Sequence, residues 1–378
     1  MADLQDYIAW RGDLSFEVAP FNKIDALVLC QITYLDFTGY LSKDFKEKKT
    51  LGNLVDSMSE DDFKNVSKDL GPFINEETPN LLLAAGKSKR FRNVLASGYW
   101  DILDGTKPEQ FAAITFSYKR TNLVSFRGTD DTLIGWKEDC ILAYASEIPS
   151  QLEAVKYLEE AMKKCGGDFI LAGHSKGGNE AVYAAMHSDK SRRKRIRTVY
   201  NFDGPGFKDD VFNSAEYKCI SNKIHSVYPE CSFVGMIFNS TDNYEISESS
   251  EKIVMQHDPM SWNVYGTDFV HKDDFSKESR LFKNTFNEWT GELTGEQIIE
   301  FTEILFKVIG ATGAKSTKDL EVKRIQKSAK IVHELAGLDR KKREGLWKMI
   351  RMFMKIGRGY FPMLDIFRNP LIAKDSEL

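Results

Sequence analysis

Apolar positions recur at helical spacing from Asn22 to Phe37, in NKIDALVLCQITYLDF, and predict a buried helix. Two more helical patterns follow. SEDDFKNVSKDL has Ser59 as its cap and acidic residues in the first turn; TPNLLLAAGKSKRF has Thr78 as its cap and Pro79 just inside. Near residue 111 the period shortens, and FAAITFSYKRTNLVSFRG reads as two strands about a polar turn at Lys119–Asn122. Apolar runs and helical patterns then alternate: the helix SQLEAVKYLEEAMKKCGG closed by glycines, the strand DFILAG, the helix KGGNEAVYAAMH, and the strands RIRTVYNF, NKIHSVYPE and EKIVMQHDP. Strands alternating with helices predict an α/β fold, with a mostly parallel sheet covered on both faces. From about Lys272 the chain becomes charged and helical through GEQIIEFTEILFKVIG, DLEVKRIQKSAKIVHELAG and DRKKREGLWKMIRMFMKIGRGYF. The pattern divides residues 1–275, an α/β core with N-terminal helices, from residues 276–378, a helical extension or cap. The closing KDSEL is expected to fray.

Composition narrows the function classes. The 378 residues are 42% hydrophobic and 29% charged, as in ordinary globular proteins, and a net charge of −4 argues against a dedicated nucleic-acid binder. The five cysteines form no C-x-x-C pair and no zinc-ligand spacing with histidine. They read as reduced thiols packed as small core residues, which suits a cytoplasm. The opening MADLQDYIAWRGDLSF lacks the basic-then-apolar form of a secretory signal, and no stretch approaches the ~18 apolar residues of a membrane span. The expectation is a soluble, cytoplasmic protein.

One motif carries chemistry. Gly173 to Gly177, GHSKG, fits G-x-S-x-G at a strand-to-helix junction. Such a turn forces the serine into strained backbone angles, and the flanking glycines relieve the crowding. Ser175 is then presented above the strand end, with helix N–H groups behind it for a developing oxyanion. The base should follow the serine in the chain. His257 opens the loop HDPMSW at a predicted strand end and fits best; His271 is the fallback. His174 reads as structural, His225 as a core strand residue, and His187 and His333 lie in helical patterns away from the site. Two carboxylates compete for the acid: Asp203, in a tight bend with Gly204, Pro205 and Gly206, and Glu230, at the end of the next strand. The loop SFRGTDDTLIGWKED supplies the rest of an oxyanion site: Gly128 for a sharp turn, Thr129 as donor, Asp139 to hold its hydroxyl, Arg127 to brace the loop. The second donor is the backbone N–H of Lys176, after the nucleophile. This chemistry requires no metal and no organic cofactor.

Taken together, FRGTDDTLIGWKED, GHSKGG, NFDGPGF and QHDPMSW resemble a family of bacterial lipase-like α/β-hydrolases, the Mbeg-like group, itself distantly similar to class 3 lipases. The resemblance spans roughly residues 20 to 270 and implies an α/β-hydrolase fold. It implies Thr129 as oxyanion residue, Asp139 with Trp136 as its support, Ser175 as nucleophile and His257 as base. Two positions depart from the lipase pattern. Lys176 stands where lipases carry an apolar residue, so that a cation either favours an anionic substrate or extends to solvent. SFVG stands where lipases carry the acid in D-x-V-P, so that Ser232 replaces that aspartate. The acid therefore stays open between Asp203, Glu230 and a Ser–His pair supported by Ser232 or water. The expected function is a serine hydrolase acting on a lipid or other acyl ester through an acyl-enzyme. The alternatives are a thioesterase and a binding protein with a decayed site.

The tail offers a separate expectation. Residues 340–358 hold eight basic residues against one acid, with Trp347, Met349, Ile350, Met352, Phe353, Met354 and Ile356 among them. An amphipathic helix of this kind either packs its apolar stripe on the core or rests on an anionic membrane surface. A cap over the site or a dimer contact is the third placement.

Overall fold

The computed structural model of the chain describes residues 2–67, 70–71, 74–142, 144–292, 294–321, 324–356 and 367. Eight strands form one sheet in simple sequence order. They are β1 Lys49–Thr50, β2 Leu95–Asp104, β3 Glu109–Tyr118, β4 Thr121–Phe126, β5 Asp168–His174, β6 Ile196–Phe202, β7 Ile224–Pro229 and β8 Tyr244–Ser247. Strands β1 to β4 pair antiparallel; β4 to β8 pair parallel. The parallel half arises because helices connect its strands, and each crossover returns the chain to the same edge.

Alternation along the strands sorts side chains between two cores. Val124, Phe126, Phe169 and Leu171 face helices Pro149–Lys164 and Lys176–His187. Leu123, Ala172 and Phe202 face helix Lys23–Ile32 on the other side. That helix is capped by Asn22, whose side chain accepts from Ile24 and Asp25. Both faces are apolar, which is why these strands read as continuous runs.

Several elements differ from the sequence pattern. The helix starting at Lys23 ends at Ile32. Thr78 lies inside its helix, Thr78–Lys87, with Glu77 at the cap position, and its hydroxyl donates to Asn75 O. The segment KIVMQH is a 3₁₀ turn, Ile253–His257, and no strand. His225 is exposed and hydrogen-bonded to Asn243, not core. All five cysteines are free, and Cys219 is exposed, unlike the buried Cys30, Cys165 and Cys231.

The C-terminal helices Lys277–Glu292, Gly295–Gly310, Arg324–Ala336 and Arg340–Ile356 close a third apolar cluster. Phe282, Phe286, Phe301, Leu305, Leu346, Trp347 and Ile350 meet Leu133 and Trp136 from helix Leu133–Leu142, and Phe233, Met236 and Val254 from the segments after β7 and β8. The described apolar residues of the basic helix therefore pack inward. The side chains of Met349, Met352, Phe353, Met354 and Ile356, the residues Gly357 and Arg358, and the closing KDSEL lie outside the described set. Among the described residues, no helix is long and apolar enough to cross a membrane.

Candidate active site

Ser175 joins β5 to helix Lys176–His187 at φ 57° and ψ −132°. Residues with a side chain rarely occupy that region, and the surroundings must impose it. Its N–H donates to Phe202 O at 2.9 Å, and Gly178 N–H donates back to Ser175 O at 2.9 Å. The crossing is too tight for other residues at the glycines. A Cβ on Gly173 would lie 2.1 Å from Gly177 O, and one on Gly177 would lie 2.2 Å from Phe126 O. The loop at Gly128 is equally close: a Cβ there would fall 2.2 Å from the Tyr34 hydroxyl and 2.9 Å from Ser175 Cβ.

His257 ends the 3₁₀ turn and is buried at 4% exposure. Its Nδ1 lies 2.6 Å from Asp203 Oδ2. Asp203 follows β6 in the left-handed region, φ 48°, which aspartate tolerates better than most residues. Its other oxygen accepts from Ser232 Oγ at 2.5 Å and Gly235 N–H at 3.2 Å. Ser232 is thus a support for Asp203, lying next to it from the end of the following strand. Glu230 ends that strand with its N–H on Ser247 O, and the carboxylate partner of His257 Nδ1 is Asp203.

His174 is buried under this pair. Its Nε2 lies 2.8 Å from His257 O and its Nδ1 lies 2.8 Å from the Tyr34 hydroxyl. Burial, then the nearby His257, hold its pKa well below the usual imidazole value, so the ring is neutral. A carbonyl only accepts, so Nε2 carries the proton and Nδ1 accepts from Tyr34. His174 thereby ties the turn bearing His257 to the elbow. His271, the fallback base, is half-exposed beside Glu245 and Asp268.

On the other side, Thr129 Oγ1 donates to Asp139 Oδ2 at 2.7 Å. Burial pushes the Asp139 carboxyl up to about 6, against the pull of Lys176 and the Thr129 hydrogen bond. Arg127 braces the loop through Asp101 Oδ1 at 3.1 Å and Asp130 Oδ2 at 3.3 Å. Burial disfavours its charge, but these two carboxylates outweigh that and raise its pKa. Trp136 is buried in the same helix as Asp139, Leu133–Leu142, a segment that read as loop.

Residues 85–307, more than half of the chain, match the sequence profile of the Mbeg1-like family. The chain belongs to the Mbeg1-like family. In this Mbeg1-like chain the match runs past residue 275 into the first two C-terminal helices. No curated protein matches the sequence. Two solved structures are similar in outline. M37 lipase is 14% identical with a TM-score of 0.34, over 57% of this chain and 68% of its own. A fungal lipase in complex with an inhibitor is 13% identical with a TM-score of 0.30, over 41% of this chain and 66% of its own. Superpositions this loose add nothing to strand order and elbow geometry, which carry the fold: a lipase-like α/β-hydrolase.

One expectation for the Mbeg1-like site is overturned. The Lys176 ammonium neither meets solvent nor lies open to a substrate. It is 2% exposed and bound by Gln110 O, Gln110 Oε1 and Glu138 Oε2 at 2.6, 2.9 and 2.7 Å. Tyr34, Gln110, Glu138 and Glu180 escaped the sequence reading. Only Glu180, four residues after Lys176 on one helix face, left a readable signal. For metals, Glu245, Asp268 and His271 are the one cluster of fitting geometry among the described residues. Lys23 Nζ lies 2.5 Å from both carboxylates, so a protein cation already bridges them.

Proposed function

We propose that the chain is a serine hydrolase that cleaves a carboxylic ester with an apolar acyl group. Ser175 Oγ attacks the carbonyl carbon while its proton passes to His257 Nε2. Asp203 holds Nδ1–H and stabilises the imidazolium. The tetrahedral oxyanion accepts from the N–H groups of Thr129 and Lys176, while Asp139 holds the Thr129 side chain and with it that N–H. Its collapse returns the proton to the departing alcohol and leaves an acyl-serine. Water then adds, with His257 taking its proton and returning it to Ser175 as the acid leaves.

The observation that carries this reading is the 2.6 Å contact between Asp203 and His257 at the strand ends where Ser175 is strained outward. A site in decay has no reason to keep a buried carboxylate and imidazole in register, which favours the enzyme over a binding protein. Ile253 and Met255 stay 54% and 41% exposed on the turn that ends in His257, and favour an apolar acyl group over a charged one. The test is hydrolysis of p-nitrophenyl butyrate by the full chain. Turnover in the wild type that Ser175→Ala abolishes supports the reading. A wild type with no turnover of acetyl to decanoyl esters or of butyryl thioesters sinks it, and leaves a binding protein on a hydrolase fold.

A further inference from the structure

The side chain of Lys176 runs away from the site into the protein and ends where three elements converge. Gln110 is the second residue of β3, Glu138 lies on helix Leu133–Leu142, and Ser150 is the second residue of helix Pro149–Lys164. Glu138 joins them: Oε2 accepts from Lys176 Nζ at 2.7 Å and from Gln110 N–H at 3.1 Å, and Oε1 accepts from Ser150 N–H at 2.9 Å. Both ionic side chains are buried, at 2% and 0% exposure. Nζ donates to three acceptors, so each ammonium proton is committed and Lys176 has no lone pair to act as a base.

The pair stands directly behind the two oxyanion donors. Lys176 itself bears one donor, its backbone N–H. The next residue after Glu138 is Asp139, which holds the Thr129 hydroxyl. Packing between these groups leaves no slack: a Cβ on Gly135 would lie 2.9 Å from Thr129 Cγ2 and 3.0 Å from Gln110 Oε1. Two consecutive carboxylates on one helix thus fix the two halves of the hole. Stability alone is a weak reason for such a pair, because well-packed apolar residues often replace a buried ion pair with no loss.

We infer that the buried Lys176–Glu138 ion pair is a positioning device, which sets the distance between the Lys176 N–H and the Thr129 N–H so that both reach the same oxyanion. The inference rests on the hydrolase reading above. It assigns neither side chain a contact with substrate. The groups act through the backbone and through Asp139.

The test pairs catalysis with stability in Lys176→Met, Glu138→Gln and the double variant Lys176→Met/Glu138→Met, assayed with p-nitrophenyl butyrate and by thermal melting. A lone Lys176→Met leaves Glu138 buried without its cation and lowers the melting temperature, so the double variant and Glu138→Gln carry the test. The double variant removes both charges and melts above the lone Lys176→Met, though below the wild type, because the Gln110 and Ser150 N–H groups lose Glu138. Glu138→Gln keeps the shape and weakens the tie. With a lost oxyanion donor worth about 10²–10³ in kcat, the double variant turns over at least ~10-fold more slowly, with KM changed less than about twofold. A double variant, or a folded Glu138→Gln, with wild-type kcat overturns the positioning role and leaves the hydrolase reading intact. A wild type with no Ser175-dependent turnover overturns both.

Discussion

Asp203 and His257 leave the sheet from different places, yet Oδ2 and Nδ1 meet at 2.6 Å. Asp203 ends β6, one strand earlier than the loop position that Ser232 occupies beyond β7. Ser232 turns its hydroxyl onto the free oxygen of Asp203.

The two residues should therefore differ sharply when changed. Asp203→Asn leaves the shape but disfavours the protonated imidazole, and kcat falls by about 10³–10⁴. Ser232→Ala removes one of two hydrogen bonds to Oδ1, while Gly235 N–H remains. Its cost is about 1 kcal/mol, or under ~10-fold in kcat. Steady-state kinetics of both variants checks the order. Equal losses would mean that Ser232 and not Asp203 sets the imidazole.

The hydroxyl of Thr129 gives a pH-dependent prediction. Asp139, pushed up to about 6, is ionised above that pH and protonated below it. Only the carboxylate is an obligatory acceptor that fixes the hydroxyl. Thr129→Val should lower kcat by ~10–10² at pH 8, because the tie to Asp139 that positions the Thr129 N–H is lost. The ratio of wild-type to variant turnover should shrink as pH falls through about 6. The ratio cancels every other titration in the site, and a constant ratio from pH 5 to 8 contradicts the assignment.

Glu180 predicts a stability effect. It is fully buried beside Lys176 and Ser150. Burial raises its carboxyl from 4.5 to about 8, outweighing the attraction of Lys176. Between those values the folded chain keeps a proton that the unfolded chain has released. Stability contributed by the neutral acid is thus full below about pH 4.5 and lost as pH rises toward 8. Glu180→Gln stays neutral at every pH. Melting curves should show the variant gaining over the wild type from pH 6 to pH 9; a gap that narrows or stays level refutes the assignment.

The elbow and its flanks were legible because hard constraints fix them: Gly173, Gly177 and Gly128 each sit where a Cβ has no room. Alternating helices and apolar runs disclosed the parallel half of the sheet. Strand β2 went unseen, since LASGYWDILD is half-buried, breaks its register between Ser97 and Trp100 and carries two acids. The site residues that escaped, Tyr34, Gln110 and Glu138, are polar groups whose partners lie far off in sequence: Tyr34 meets His174, 140 residues away, and Gln110 meets Lys176, 66 away. Local pattern holds no record of such pairings. For the same reason Lys176, a cation by composition, could not be read as a buried one.

The C-terminal helices should prove integral to the fold. Thr317 donates through its N–H and hydroxyl to Asp131, two residues beyond Thr129, and Leu133 N–H donates to Lys315 O. A chain ending at residue 275 exposes Leu133, Trp136, Phe233 and Met236 and unties the oxyanion loop. It should bind 1-anilinonaphthalene-8-sulfonate strongly and lose Ser175-dependent turnover. A truncated chain that melts cooperatively and retains full turnover would show the helices to be a separate appendage.

Reaction with a fluorophosphonate, followed by mass mapping of the peptides, tests the central claim most directly. The account predicts one phosphonyl adduct on the peptide containing Ser175, slowed by at least ~10³-fold in His257→Ala, where no base takes up the serine proton. An unmodified Ser175 in folded wild-type protein, or a labelling rate that ignores His257, would contradict it.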